Sequence, residues 1–596
     1  MTFFKSFLAS CLGIFVSFLL LMVVFFIFLI SSSSQPLPEV KENSVLTIEM
    51  TGTLPARVLP SPFETYFDPA AGSKLSLVTL KENLTKAAAD DKIKGVWVKA
   101  NLMSASWANL QQAYDYLQEY KESGKFLYFS TDDIGMNEQS YFLATVADSV
   151  FSPPYTNFEF DGFVSQFTFY TDMLDKIGVE PEIFRVGKYK SAVEPFLETS
   201  ASPESRQQIS EILDAATVTF TEAVARKTGS SVEEITELLN SAPVNRLETA
   251  KEFGLIDSLI FGNEVESLIK SRVGLSSDDD LNTISFKKYG QIPAAAAGVE
   301  TPSTFDRIAV IYANGTIMPD LGNESPFDNS ATITAANMKK HIDDALNSSS
   351  VKAIVVHINS PGGSATTSDL IWNTLRSASN EKPVIASMGS VAASGGYYIA
   401  MGADTVVANS NTITGSIGIF NLLFNVKELT EDKLGLDFEV VKTHEYADLL
   451  DLTTPFTPAE ERVIQQNVEN GYEIFLSRVA EGRDMTRDEV HELAQGRVWT
   501  GTAAKEAGLI DELGSIDDAI GIAAEMAGME EYRLEYYPKE KGLFEVLMGG
   551  TEARVYSYLN SWFPFSKQEE VKNLRMLMNQ PSGQNWMILP TDISVR

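Results

Sequence analysis

The chain has 596 residues, 44% hydrophobic and 21% charged, with a formal net charge of −33 and a sequence pI of about 4.5. Its length exceeds one ordinary domain, and its composition is that of a globular protein with substantial cores. The acidic balance argues against a phosphate-binding surface and so against nucleic acid as a partner. The single cysteine, Cys11, leaves the body without disulfides or thiolate metal sites.

In chain order, residues 1–38 come first. After Lys5 no charge appears until Glu39. Ser6 to Ile30 is apolar and long enough to cross a bilayer as a helix, which needs about 20 residues. A cleaved signal peptide has an apolar region of only about 7–15 residues. The segment therefore reads as a retained transmembrane signal anchor, with Lys5 on the cytoplasmic side and the body exported.

Two copies of one domain follow, at 44–290 and 306–540. "SVLTIEMTGTL" pairs with "RIAVIYANGTI", "KGVWVKAN" with "KAIVVHIN", "YFLATVADSV" with "YYIAMGADTV", and "AKEFGLIDSL" with "AKEAGLIDEL". The offset drifts only from 263 to 254 residues, so the order is kept throughout. The Ala- and Pro-rich stretch 291–305 is the linker. Short β-branched runs such as "AIVVHI" and "PVIASM" alternate with helical patterns, which predicts βαβ units around a buried parallel sheet. A long helix is predicted from Ser202, and another from Thr457, with Pro458 at its first position and Glu460 closing a capping box. The class is α/β, in tandem duplicate. The tail, 541–596, matches neither copy and carries no assignable role.

The differences between the copies carry more information than the similarities. Aligned through Tyr-x-x-Ala-x-x-Ala-Asp, Ser394 of "VAASGGYYIA" falls opposite Glu138. "NSPGGSA" (359–365) falls opposite a stretch near "NLMSASW", which has no glycine pair. Further on the loss reverses: Lys190 falls opposite Ala447, and Lys188 opposite Glu445. Two complementary losses point to one site divided between the copies.

A serine hydroxyl needs a base. His357 lies mid-strand, His341 in a helix, and His444 and His491 in polar surroundings. None makes a convincing Ser-His-Asp set, and none has metal-ligand spacing. No metal or cofactor is expected. Lysine can replace histidine if it is neutral. A free lysine is neutral only about once in 2,500 at pH 7, so burial or a neighbouring cation such as Lys188 or Arg185 would have to lower its pKa. Lys190 is favoured over Lys188 because it opens "KSAVEPF", the part of the loop that runs back onto the body. Gly362, Gly363 and the N–H of Gly395 are candidate oxyanion donors. Ser416, in "TITGSIGIF", could hold the lysine amine.

At "INSPGGSA", "MGSVAASGGYYIA", "NTITGSIGIF", "RVGKYKSAVEPF" and the paired "GLID" segments, the sequence resembles the signal peptide peptidase A (protease IV) family of membrane serine proteases, in its long double-repeat form. The resemblance implies a Clp-protease/crotonase-like fold in each copy. It implies Ser394 as nucleophile, Lys190 as general base, Ser416 as the positioning hydroxyl and the glycines as oxyanion hole. It also implies residual signal peptides as substrates, a homotetramer, and a single-pass protein of the bacterial inner membrane with its catalytic body in the periplasm. Two alternatives stand beside it. One is a crotonase-type acyl-CoA enzyme, disfavoured by the export anchor. The other is a non-catalytic membrane scaffold, since copy one persists without serine or glycine pair.

Overall fold

The computed structural model describes residues 37–540, apart from 62–63, 66–67, 69, 242–245 and 321–331, together with a few positions between 13 and 20 and the strand Trp586–Ile588. Most of the expected anchor, Ser6–Ile30, and most of the tail lie outside the described residues. Among the described residues no helix is long and apolar enough to cross a membrane.

Each copy folds around its own sheet. In the first, all six strands run parallel, in the spatial order Ser258–Leu259, Ser149–Ser152, Phe126–Ser130, Ile93–Met103, Ser44–Gly52, Thr283–Ser285. The second repeats this order with Glu512–Leu513, Thr405–Ala408, Val384–Ala393, Val351–Ser360, Arg307–Asn314 and Arg533–Tyr537. The central strands are apolar on both faces because helices cover both: Arg307–Asn314 and Val351–Ser360 are buried along nearly their whole lengths. Val384–Ala393 is long enough to change partner midway. Its first half pairs with Thr405–Ala408 and its second with Ile413–Gly415, which in turn pairs antiparallel with Val498–Thr500.

The repeated motifs are the hydrogen bonds that close each unit. Tyr141 donates its hydroxyl to the Leu255 carbonyl at 2.8 Å, and Tyr397 does the same to Leu509 at 2.7 Å. Asp148 accepts from the Leu127 N–H and Asp404 from the Val384 N–H, each at 2.8 Å. The aspartates of the two "GLID" motifs accept from strand N–H groups as well, Asp257 from Val150 and Asp511 from Val406. A strand donor buried without a partner is costly, so both copies keep these residues. The two long helices, Pro203–Thr228 and Pro458–Arg483, start at Ser202 and Thr457. Each cap side chain accepts from the backbone N–H three residues on, and Thr457 and Glu460 form a capping box.

A third sheet joins the copies. Its order is Thr332–Ile333, Thr316–Ile317, Gly362–Ser364, Trp586–Ile588, Phe420–Asn425, Glu180–Arg185. Copy one contributes Glu180–Arg185, antiparallel to Phe420–Asn425 of copy two, and Phe184 is buried in the core of copy two. The Val498 N–H donates to Gln208 Oε1 at 2.7 Å, Arg497 pairs with Glu211 at 3.1 Å, and Tyr116 donates to Asp517 at 2.8 Å across the same junction. The equivalent of Glu180–Arg185 in copy two, 437–442, is exposed and joins no strand.

Candidate active site

Ser394 ends the strand Val384–Ala393 and caps the short helix Gly395–Ala400. Its backbone lies at φ 55°, ψ −115°, a region that costs an L-residue on the order of 1–3 kcal/mol. The fold holds it there: the Ser394 N–H donates to the Gly415 carbonyl at 2.8 Å, and its own carbonyl accepts from the Tyr398 N–H at 2.9 Å. A sharp strand-to-helix turn of this kind presents a serine oxygen at the end of a sheet.

Lys190 comes from the other copy, in the turn after Glu180–Arg185. Its Nζ lies 2.9 Å from Ser394 Oγ, 2.9 Å from Ser416 Oγ and 3.1 Å from the Ser416 carbonyl. Lys190, Ser394 and Ser416 are all 0% exposed. The three residues belong to one chain, so this constellation needs no second subunit. Burial holds the Lys190 amine well below the usual lysine range. Arg185 does not act on the amine; its Nη1 donates to the Lys190 carbonyl at 3.4 Å. Lys188 is exposed, with its Nζ 5.0 Å from the Tyr189 ring centre.

A neutral amine has two N–H donors and one lone pair. Donating to the two oxygens of Ser416 leaves the lone pair for the Ser394 hydroxyl. That hydroxyl then donates to nitrogen, which is the arrangement a general base requires.

The strand Gly362–Ser364 lies against the first turn after Ser394. A Cβ on Gly395 would stand 3.2 Å from both Gly362 Cα and Gly363 N. Gly363 sits at φ 154°, and a Cβ there would come within 1.9 Å of the Ile317 carbonyl oxygen, so only glycine fits. The Gly362 N–H already donates to Ser360 Oγ at 3.1 Å. Of the other two candidate donors, Gly363 lies in the strand paired with Met587 and Ile317, and Gly395 directly follows Ser394.

In copy one the corresponding place is filled. Glu138 is buried, and its Oε1 accepts from the N–H groups of Asp161 (2.8 Å) and Gly162 (3.2 Å). His357 is buried in the sheet, bonded through Nδ1 to Ser387 Oγ at 3.1 Å, with burial pushing its pKa down to about 4. It belongs to the core and not to the serine site. Among the described residues no group of three or more histidine, cysteine or acidic side chains could hold a metal ion.

Sequence reasoning missed the cradle of the lysine. Gly496, at φ 80°, packs on the Lys190 backbone so closely that a Cβ would lie 2.7 Å from Lys190 N and Cβ. The Gln495 carbonyl accepts from the Tyr189 N–H at 2.9 Å, and Gln208 donates to the Tyr189 carbonyl at 3.3 Å. A signal was present in the repeat: at the offset of the "GLID" segments, Gly496 falls opposite Ala242.

Comparison with known proteins agrees with this architecture. The model of peptidase family S49 matches residues 119–276 and 376–530, one stretch in each copy, and a model described as Clp protease matches 333–414. The "Serine protease SPPA, chloroplastic" of Arabidopsis thaliana is 35% identical over 495 residues, covering 83% of this chain and 71% of that protein. The "Protease 4" of Salmonella typhi is 32% identical over 495 residues, covering 81% and 77%. A "Putative signal peptide peptidase SppA" of Enterococcus faecium is 31% identical over 246 residues, covering 41% and 71%. The chain is thus an α/β serine protease with a Clp-protease-like domain and two repeats of one peptidase unit. It belongs to peptidase family S49.

Replacing Gly496 by alanine would force the Lys190 backbone away from Ser416 and Ser394. The expected result is a fall in kcat/KM of about 10²-fold, the cost of a misplacement of about 1 Å. The far-ultraviolet spectrum should be unchanged. Peptide cleavage assays on the purified variant would check this.

Proposed function

We propose that this protein is a membrane-anchored endopeptidase with a Ser394–Lys190 dyad, and that it degrades cleaved signal peptides within their hydrophobic cores. The observation that carries the reading is the 2.9 Å approach of Lys190 Nζ to Ser394 Oγ in a fully buried setting. The neutral amine takes the hydroxyl proton as Oγ attacks the peptide carbonyl. The Gly363 and Gly395 N–H groups stabilise the oxyanion. The resulting ammonium then protonates the leaving amine; the lysine amine next takes a proton from water, which attacks the acyl-enzyme ester, releases the carboxylic product and restores the Ser394 hydroxyl. Ser416 aims the amine throughout.

The substrate class draws support from three sources. Beside the site lies an apolar cluster that includes Val193, Phe196, Phe420 and Leu422. The N-terminal Ser6–Ile30 segment suits a bilayer anchor, which fits a single-pass protein of the bacterial inner membrane with its body in the periplasm. The printed name of the Enterococcus faecium relative supports signal peptides as the substrate.

The homotetramer expected from the resemblance has a surface to use. At an offset of 257 residues, 163–168 is the counterpart of Phe420–Asn425, and 437–442 is the counterpart of Glu180–Arg185. Neither segment forms a strand within the chain. Pairing between chains in the register of the internal pair sets Ser165 opposite Val440, the counterparts of Leu422 and Ile183. Opposed residues of an antiparallel pair are within disulfide reach. In a Cys11→Ser background, Ser165→Cys with Val440→Cys should give a ladder of cross-linked chains on oxidation, read on a non-reducing gel.

Ser394→Ala and Lys190→Ala should each lower kcat/KM for short apolar peptides by about 10³-fold or more. Lys190→Arg should not rescue activity, because a guanidinium stays protonated. A fluorophosphonate should label wild type and fail on Ser394→Ala.

The base works only when neutral, so kcat/KM should rise with pH as Nζ loses its proton. Because burial lowers this pKa, the midpoint should fall well below the usual lysine value of about 10.4. Retained cleavage in Ser394→Ala, or a midpoint at the usual lysine value, would sink the assignment.

A further inference from the structure

Ser416 accepts from the lysine amine through two oxygens, so whatever fixes Ser416 also fixes the amine. Its backbone stands at φ 51°, in the left-handed region that a residue with a Cβ seldom adopts. The stretch 495–500 keeps it there. Val498, Trp499 and Thr500 pair antiparallel with Gly415, Thr414 and Ile413. One residue further on, the Ser416 N–H donates to the Arg497 carbonyl at 2.6 Å, and the Gly496 N–H donates to the Ile417 carbonyl at 2.8 Å. Gln495 and Gly496 are themselves left-handed, at φ 57° and 80°, so this stretch needs support of its own.

The Arg497 side chain supplies that support. Its guanidinium carbon lies 4.0 Å from the Trp499 ring centre and 5.7 Å from that of Tyr189, the residue before Lys190. Its Nη2 donates to both carboxylate oxygens of Glu211, at 3.1 and 3.2 Å. Glu211 stands on the helix Pro203–Thr228 of copy one, one turn beyond Gln208. The Gln208 amide in turn accepts from the Val498 N–H and donates to the Tyr189 carbonyl. One cation therefore ties together the stretch that holds Ser416, the residue that precedes the lysine, and a helix of the other copy.

The repeats divide these residues as they divide the serine and the lysine. At the offset of the "GLID" segments, Arg497 falls opposite Pro243 and Trp499 opposite Asn245. Counted from the helix caps Ser202 and Thr457, Gln208 falls opposite Val463 and Glu211 opposite Gln466. Copy one has the helix residues without the arginine, and copy two has the arginine without the helix residues.

We propose that Arg497 is a positioning residue of the peptidase: stacked on Trp499 and paired with Glu211 of the other repeat, it holds Ser416 so that the Lys190 lone pair faces the Ser394 hydroxyl. The proposal deepens the Ser394–Lys190 reading and rests on it. Arg497 touches no reacting atom. The ion pair is partly exposed, Arg497 at 25% and Glu211 at 38%, so it adds little to stability and acts on aim. Without the guanidinium Ser416 relaxes from its left-handed conformation. The amine then loses its two acceptors, and water takes their place around it. Solvation moves the amine back towards an ordinary lysine.

The test compares full-length wild type, Arg497→Ala and Glu211→Gln on a fluorogenic apolar peptide. Arg497→Ala should lower kcat about 30-fold with KM within about 2-fold of wild type, in the range of a misplaced catalytic group. The midpoint of its pH profile should move up. Glu211→Gln should change both in the same direction, with a loss in kcat of about 5-fold. Both should unfold within about 4 °C of wild type. Ethylguanidinium, and not sodium chloride, should restore part of the kcat of Arg497→Ala. Wild-type kcat and pH midpoint in both variants would overturn the proposal. So would a loss of kcat that comes with a lower unfolding temperature and an unmoved pH midpoint, which is the signature of a structural role. If Arg497→Ala does not fold, Glu211→Gln decides alone. Cleavage retained in Ser394→Ala would sink the dyad and this proposal with it; cleavage lost there and intact in Arg497→Ala would sink the proposal alone.

Discussion

A lysine amine fully buried against two serine side chains is the constraint around which this structure is arranged. Lys190 Nζ has Ser394 Oγ, Ser416 Oγ and the Ser416 carbonyl as hydrogen-bond partners, and among the described residues no carboxylate pairs with it. An ammonium in that position would lack solvation and counter-charge, so the fold favours the neutral amine. The surroundings must therefore supply rigidity in place of charge. They do so through the glycine contact at Gly496, the carbonyl of Gln495 and the antiparallel pairing of Glu180–Arg185 with Phe420–Asn425.

Duplication explains how such a lysine can reach such a serine. The strand that delivers Lys190 leaves copy one and joins a sheet of copy two, carrying Phe184 into that core. A single unit cannot perform this exchange within itself, because the strand Phe420–Asn425 accepts its partner from outside its own repeat. Once two units are fused, one serine and one lysine suffice for the junction between them, and the other pair is free to drift. Copy one shows the result. Glu138 occupies the serine's place and satisfies two backbone N–H groups, which keeps the turn folded with no hydroxyl to present.

What could be read from the sequence follows from where side-chain identity is forced. Tyr141 and Tyr397, Asp148 and Asp404, Asp257 and Asp511 each close an equivalent hydrogen bond, so the repeat survives in recognisable letters. Ser394 and Lys190 stood out because the other copy lacks them. Gly496 and Gln495 were harder to see. One acts by having no side chain and the other through its carbonyl, and neither contribution depends on a recognisable polar group. The strand Trp586–Ile588 was invisible for a related reason. Its pairing is made by main-chain atoms that every residue except proline possesses, so around it the sequence shows only an uncharged stretch, 576–591.

The same indifference to side chains bears on substrate choice under the proposed function. An enzyme that clears many different apolar segments cannot depend on close side-chain recognition, because those segments share composition and not sequence. Main-chain pairing would ask only that a peptide be extended. A cleft with such loose demands would also accept unfolded regions of exported proteins. In such a cleft, peptides presented at high local concentration have the advantage. A membrane holding released signal peptides beside the anchored enzyme would provide that concentration, and folded proteins, whose strands are already paired, would not compete.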